Sequence, residues 1–223
     1  MYTGIDPKAH DDLPAKGAFA NRYGLSGERI IAYIGRLNAC KGLDHLLRAF
    51  RDVASSDRET VLVMVGPDDG YRRTLERLTR ALALGDRVVF TGFLGGRDRL
   101  AAFVDSDMIV YPAKYEIFGL VPFEALACGK PVVVADDSGC GEIVREARAG
   151  LVVPVEDGSR LARAISVTLQ GGREISQMVE TGKRFVEDQL NWDAIATQTE
   201  KVYEEVVDGR PSTDDVHPRG DIS

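Results

Sequence analysis

Two glutamates, Glu116 and Glu124, flank a turn whose residue types suit the binding of a polar ligand. Gly119 and Pro122 lie between them and good helix formers follow at residues 124–127, so a helix is predicted to begin at this turn. The amides of a first helical turn lack internal partners and carry the positive end of the helix dipole, which favours a phosphate or a hydroxyl group. Both carboxylates could reach one such ligand, although a loop charge and a solvated helix residue would give the same pattern.

The rest of the chain alternates short apolar runs with segments of helical periodicity, a pattern typical of strands and helices in a parallel sheet. The predicted strands are residues 29–35, 60–66, 87–91, 108–111, 131–135 and 149–154, and the predicted helices include 15–23, 45–54, 71–84, 159–169, 174–189 and 192–207. This order predicts one doubly wound α/β domain over residues 1–207, with a mainly parallel, six-stranded, Rossmann-like sheet and helices on both faces. The polar, proline-containing residues 208–223 are predicted to form a disordered tail.

The stretch that contains the two glutamates resembles the signature of an enzyme family. Glu-x7-Glu with an internal Phe-Gly-Leu, followed by Glu-Ala-Leu-Ala-Cys-Gly-Lys-Pro-Val-Val, is similar to the retaining family-four glycosyltransferases, also called group 1 glycosyl transferases. The resemblance covers roughly residues 4–203 and implies the C-terminal, donor-binding half of a two-domain GT-B fold. Residues 2–7 resemble the start of that half and follow Met1 directly, so we expect an excised domain or a truncated gene that lacks the N-terminal, acceptor-binding domain.

The resemblance implies that a sugar moves from a nucleoside-diphosphate sugar, such as a UDP- or GDP-sugar, to an acceptor, without a metal or other cofactor. Arg36 and Lys41, in the loop after the first predicted strand, would hold the diphosphate, since a guanidinium can grip two phosphate oxygens and an ammonium supplies a compact charge. Glu116 would hold the donor sugar near its reacting face and Glu124 the ribose hydroxyls. Solvated loop cations are the alternative for Arg36 and Lys41.

Further donor contacts are expected from strand ends and from the turn. Gly66 either allows a ligand to approach closely or simply ends a strand. Phe93 or Leu94 would cover the nucleotide base, although Phe93 is more readily interpreted as a core residue. The remaining predicted donor-binding residues are Gly35, Ile117, Phe118, Gly119 and Leu120.

Two other classes of function stay open at this point. A GT-B epimerase that acts on nucleotide sugars would share the fold and the ligand, but it has less reason to carry Glu116 and Glu124 in this phase. A nucleotide-sugar-binding module without transfer activity would keep the same crevice. Turnover measured with and without an N-terminal domain would separate these possibilities.

Composition and charge exclude several other partners. The net charge of −7 disfavours nucleic acid and anionic membranes, and no apolar run spans a bilayer or directs export, so a cytoplasmic protein is expected. The three cysteines lack the spacing of a zinc site or a disulfide framework. Asp105 and Asp107 resemble a metal-binding Asp-x-Asp, but they lie at the end of a predicted helix before a strand, so no metal site is predicted. Residues 138–142 depart from the family pattern, which leaves open which amides there face the donor.

Overall fold

The structure is a computed structural model that describes residues 3–10, 12–25, 27–136 and 139–207. Its strands are β1 (Arg29–Ile34), β2 (Thr60–Val65), β3 (Val88–Gly92), β4 (Met108–Tyr111), β5 (Val132–Asp136) and β6 (Leu151–Pro154). Its α-helices are α1 (Ala18–Tyr23), α2 (Leu43–Ser56), α3 (Arg72–Ala81), α4 (Gly96–Asp105), α5 (Leu120–Ala127), α6 (Gly139–Glu146), α7 (Gly158–Gln170), α8 (Arg173–Gln189) and α9 (Trp192–Val207).

The six strands form one sheet in the order β3-β2-β1-β4-β5-β6, and every pair of neighbouring strands is parallel. Pairing is most regular between β1 and β2, where Arg29 lies opposite Thr60 and Ile34 opposite Val65. This is the strand order of a doubly wound, Rossmann-like sheet. The fold class predicted from the sequence is therefore confirmed.

Apart from Arg29 and Thr60 at their first positions, the central strands are apolar because both faces of the sheet are covered. All six residues of β2 and all of β4 are buried. The covering helices pack in groups, with α2 against α3 and α7, α5 against α8, and α1 against α4. Phe50, Phe103 and Phe123 are fully buried aromatic side chains of this core. No helix in the described part of the chain is long and apolar enough to cross a membrane.

The sheet has a switch point between β1 and β4. From β1 the chain adds β2 and β3 on one side, and it then returns to add β4, β5 and β6 on the other side. In such a sheet the loops that follow the two central strands diverge and leave a crevice at their carboxyl ends. Here those loops are residues 35–42, which contain Arg36 and Lys41, and residues 112–119, which contain Glu116. Glu124 follows on α5.

The predicted strands agree with the observed ones to within two residues at each end, and β4 agrees at both ends. One helix was not predicted: α6 begins at Gly139, within the glycine-rich residues 138–142, to which the sequence analysis assigned no helix or strand. A Cβ atom added at Gly139 would lie 2.2 Å from the carbonyl oxygen of Ile117, so glycine is required for α6 to pack against the Glu116 loop. The predicted tail 208–223, and the residues Met1, Tyr2, Asp137 and Ser138, lie outside the described residues.

Candidate functional site at the carboxyl ends of β1 and β4

Lys41 and Glu116 meet in the crevice between β1 and β4. The Lys41 Nζ lies 2.5 Å from Glu116 Oε2, and the Tyr111 hydroxyl donates to the same oxygen at 2.6 Å. Only 10% of the Lys41 side chain and 21% of the Glu116 side chain are exposed. The pair is therefore a shielded, charge-assisted contact rather than a surface ion pair, and neither it nor the role of Tyr111 was predicted from the sequence.

The electrostatics of this cluster keep Glu116 ionised. Burial alone would raise the pKa of Glu116, but hydrogen bonds from Lys41 and Tyr111, together with the charges of Lys41 and Arg36, outweigh it and hold the pKa below its ordinary value. Burial and the hydrogen bond to Glu116 raise the pKa of Tyr111 far above its ordinary range, so this phenol stays protonated and donates. The ring of Tyr33 stacks on that of Tyr111 with 6.0 Å between centroids, which fixes the donor in place.

The backbone joins the two loops directly. The Lys114 amide donates to the Cys40 carbonyl oxygen at 2.8 Å. Gly42 has a φ of +65°, and a Cβ atom there would lie 2.1 Å from the carbonyl oxygen of Pro112, so only glycine allows this approach. Lys41 immediately precedes this contact. Its position opposite Glu116 is thus set by the loop backbones as well as by its own side chain.

Arg36 lies at the mouth of the crevice and differs from Lys41 in its surroundings. Its guanidinium is mostly exposed and donates to Asp69 Oδ2 at 2.9 Å, while the side-chain Nδ2 of Asn38 donates to the same oxygen at 3.0 Å. The Tyr33 hydroxyl donates to the Arg36 carbonyl oxygen at 2.8 Å and so holds its backbone. The predicted pair of cations is therefore one buried lysine and one exposed arginine.

The N-terminus of α5 faces the same loop. Gly119 caps the helix with a φ of +65°, and no side chain caps the first-turn amides of Leu120 and Val121. Glycine is required there, since a Cβ atom would lie 2.8 Å from Glu116 Cγ. The thiol of Cys140, on α6, packs beneath this turn, and burial raises its pKa to about 12, which favours the protonated thiol.

Glu124 lies on the second turn of α5 and has a partner that the sequence did not reveal. Arg99 of α4 donates from Nη1 to Glu124 Oε1 at 2.6 Å and from Nη2 to Oε2 at 2.5 Å. The interpretation of Glu124 as a solvated helix residue is therefore wrong. No local sequence pattern indicates this pair, because Arg99 and Glu124 lie 25 positions apart and only the fold brings them together.

The predicted glycines after β1 and β2 lie against one another. A Cβ atom at Gly66 would lie 1.8 Å from the carbonyl oxygen of Gly35, and one at Gly35 would lie 2.6 Å from the Tyr33 hydroxyl. The close approach that Gly66 permits is thus that of the neighbouring backbone. Both alternatives considered from the sequence, a ligand contact and a simple turn, overlooked this packing.

The apolar residues predicted around the donor fall into two groups. Phe93 is 72% exposed, so its interpretation as a core residue is wrong, whereas Leu94 is buried in the core and cannot cover a base with its side chain. Ile117 is exposed and Leu120 is partly exposed at the rim of the crevice. Phe118 is half-buried and its ring packs on that of Phe123, 5.2 Å between centroids.

The Asp-x-Asp sequence has a structural role at the opposite end of the sheet. Asp105 accepts hydrogen bonds from the amides of Gly17, Phe19 and Ala20 at 2.6–2.8 Å, and Asp107 accepts one from the amide of Ile30 at 2.7 Å. Within the described ranges, no group of three or more His, Cys, Asp or Glu side chains is placed to hold a metal ion.

Comparisons with known proteins agree with this architecture. The family model described as "Glycosyl transferases group 1" matches residues 18–185. A D-inositol 3-phosphate glycosyltransferase of Salinispora tropica is 33% identical over 204 residues, which are 88% of this chain and 40% of that protein. The sucrose-phosphate synthase of Thermosynechococcus elongatus superposes with a TM-score of 0.76 at 31% identity, over 93% of this chain and 52% of that one.

A more distant neighbour shows the fold alone. The Anabaena protein HepE, solved in complex with UDP-glucose, superposes with a TM-score of 0.78 at 23% identity, over 92% of this chain and 56% of that one. The fold and the family model together define a Rossmann-like domain of a glycosyltransferase type. The chain belongs to the group 1 glycosyl transferases, and it spans about half the length of the curated relatives it matches.

Proposed function

We propose that this domain binds the nucleoside-diphosphate sugar donor of a retaining, metal-independent glycosyltransferase. The observation that carries the proposal is the contact between Lys41 and Glu116 at the switch point of the sheet, next to the uncapped N-terminus of α5. It places a cation, a carboxylate and free helix amides around one point. Ligands of doubly wound sheets bind at this place.

The contact suits a donor because the diphosphate and the sugar are joined by a single bond. Lys41 would serve the diphosphate and Glu116 the sugar, so the two side chains must lie side by side. An ammonium has three N–H donors, and Glu116 and Tyr111 account for two of them, which leaves one for a phosphate oxygen. Lys41 also screens the negative charge of Glu116, which would otherwise repel the diphosphate.

Charge on the leaving diphosphate grows as the bond to the sugar breaks. Arg36, Lys41 and the amides near residues 118–120 are aimed at that charge before the reaction begins, and such preorganised donors lower the barrier. These groups can supply the stabilisation that a metal ion supplies in other transferases. Glu124 would accept from the ribose.

The comparisons support a nucleotide ligand. HepE was crystallised with UDP-glucose on the same fold, and the Salinispora relative is named a glycosyltransferase. UDP is therefore the first probe, and GDP is the second. We expect the loop around Phe93, rather than the charged residues, to select the nucleotide base.

Calorimetric titration of UDP and GDP in excess chelator tests the proposal. One of the two should bind, and Arg36→Ala should weaken it by about 1.5–3 kcal/mol, the usual worth of a hydrogen bond to a charged group. Arg22→Ala is the matched control, because Arg22 is equally exposed and pairs with Asp98 at 2.7 Å. Binding that disappears in chelator and returns with manganese would contradict the metal-independent site.

A further inference from the structure

Arg99 holds both oxygens of Glu124 in a fork. Its two terminal nitrogens donate at 2.6 and 2.5 Å, one to each carboxylate oxygen, from α4 to α5. The side chains are 28% and 17% exposed, so the contact is well shielded from water. A bidentate pair of this kind fixes the plane of the carboxylate as well as its position.

The guanidinium is itself held in place. Its Cζ lies 5.1 Å from the centroid of the Phe103 ring, and Phe103 is fully buried on the same helix. Burial would lower the pKa of Arg99, but the hydrogen bond and the charge of Glu124 outweigh it and raise the pKa overall. Arg99 therefore stays charged. Displacing it from Glu124 would be costly, because the carboxylate would be left unpaired while mostly shielded from water.

The fork limits what Glu124 can accept. A carboxylate has about four lone-pair sites, and a guanidinium that bridges both oxygens end-on takes the two that point the same way. The two that remain point away from each other, on opposite edges of the group. Two neighbouring ribose hydroxyls cannot reach both of them at once.

We propose that Arg99 is a positioning residue that restricts Glu124 to a single hydroxyl of the donor ribose. This inference rests on the proposed function, because it takes the ligand of Glu124 to be a ribose. Arg99 does not itself touch the ligand. It sets which edge of the Glu124 carboxylate is presented and thereby which of the 2′- and 3′-hydroxyls is recognised.

The test compares UDP and GDP with their 2′-deoxy and 3′-deoxy forms by calorimetry on the full chain. In the wild type, one deoxy form should bind about tenfold or more weakly than the parent, and the other within about twofold. In Arg99→Met, the parent should weaken about tenfold and the ratio between the two deoxy forms should fall below about threefold. Methionine keeps an apolar stem against Phe103, which preserves the fold.

Two further variants sharpen the outcome. Arg99→Lys keeps the positive charge without the two parallel hydrogen bonds, and the ratio between the affinities of the two deoxy forms should fall in this variant too. Arg97→Met is the matched control on the same helix, since Arg97 is exposed and pairs with Asp12 at 2.7 Å, and it should behave as the wild type.

The results separate the inference from the proposed function. If neither UDP nor GDP binds the wild type, the proposed function itself fails. If the nucleotide binds but both deoxy forms lose affinity equally, or if Arg99→Met or Arg99→Lys keeps the wild-type ratio, the role of Arg99 is overturned. A merely structural role would weaken all ligands alike and leave the ratio unchanged.

Discussion

At the scale of single residues, the site depends on partners that neutralise one another before any ligand arrives. Glu116 is held by Lys41 and Tyr111, Glu124 by Arg99, and Arg36 by Asp69. A free carboxylate in a half-buried crevice would be costly, and the partners remove that cost while leaving acceptor and donor sites for the ligand. The charged side chains of the site are therefore held in place before any ligand binds.

The first prediction concerns Glu116→Gln and the pH dependence of stability. Because the folded-state pKa of Glu116 lies below its ordinary value of 4.5, its ionised form stabilises the fold above that pH, and this contribution is lost as the pH falls further. At pH 7, Glu116→Gln should lower the free energy of unfolding by about 1 kcal/mol, the difference between charged and neutral hydrogen bonds. Urea denaturation at several pH values measures both effects.

The wild-type stability should thus decline more steeply than that of Glu116→Gln below pH 4.5, and the two curves should converge. Glu174→Gln, at an exposed position of α8, serves as the control. Parallel curves for wild type and Glu116→Gln over the acid range would show that Lys41 and Tyr111 do not favour the ionised form.

The sequence identified most of the charged residues of the site but not the contacts that they make. Glu116, Glu124, Arg36 and Lys41 lie in recognisable local patterns, and a pattern within one segment is what a sequence shows. Arg99 and the hydroxyl of Tyr111 carry no such pattern, since tyrosine in a strand and arginine in a helix are ordinary. Their roles depend on distances that only the folded chain fixes.

At the scale of elements, the loops after β1 and β4 act as one unit because their backbones touch. Gly42 packs against the Pro112 carbonyl, and the Lys114 amide donates a hydrogen bond to the Cys40 carbonyl oxygen. This unit brings Lys41 to Glu116. Its integrity should therefore affect both stability and ligand binding.

The second prediction compares Gly42→Ala with Gly129→Ala. Both glycines have nearly the same positive φ, 65° and 69°, but a Cβ atom at Gly42 would lie 2.1 Å from Pro112 O, whereas one at Gly129 has nothing within 4 Å. Gly129→Ala should cost only the strain of that φ, about 1–2 kcal/mol. Gly42→Ala should cost about 1–3 kcal/mol more through overpacking, and it should also weaken UDP or GDP binding.

Thermal denaturation and calorimetry on the two variants decide this point. Equal losses of stability would mean that the two loops separate without cost, and unchanged nucleotide affinity in Gly42→Ala would mean that Lys41 is placed by its side chain alone.

Helices and strands could be predicted from the sequence where the hydrophobic periodicity or the apolar run was long enough. β4 and all of β2 except Thr60 form apolar runs, and their bounds were placed to within one residue. α6 was missed because Gly139 and Gly141, near its start, are typical of a loop. In the structure they allow tight packing instead, since Gly139 lies against Ile117 and Gly141 is buried. Glycine is common both in loops and in tightly packed helices, and only the packing distinguishes the two.

At the scale of the whole molecule, the proposed function assigns only the sugar donor to this domain. In the GT-B arrangement implied by the resemblance, the acceptor lies across a cleft on another domain. Since the chain spans about half the length of its curated relatives, transfer is proposed as a property of a longer protein.

The third prediction is that these 223 residues bind the nucleotide sugar and do not transfer it. Holding an acceptor hydroxyl near the anomeric carbon accounts for about 7–11 kcal/mol of barrier lowering, and slow hydrolysis is the most that is expected without it. The measurement is product formation from the best-binding nucleotide sugar and candidate acceptors, with and without an added N-terminal domain. Acceptor-dependent turnover by the chain alone, at a rate near that of the longer protein, would contradict the prediction, because the groups that position the acceptor would then lie within these residues.

The division of the site between Glu124 and the cations is the central claim, and one comparison tests it most directly. UDP, GDP and pyrophosphate are titrated by calorimetry into the wild type and into Glu124→Ala. The account predicts that the wild type binds a nucleoside diphosphate, that Glu124→Ala weakens it at least about tenfold, and that pyrophosphate affinity changes by less than about twofold. Equal losses for the nucleotide and for pyrophosphate, or no binding by the wild type, would contradict it.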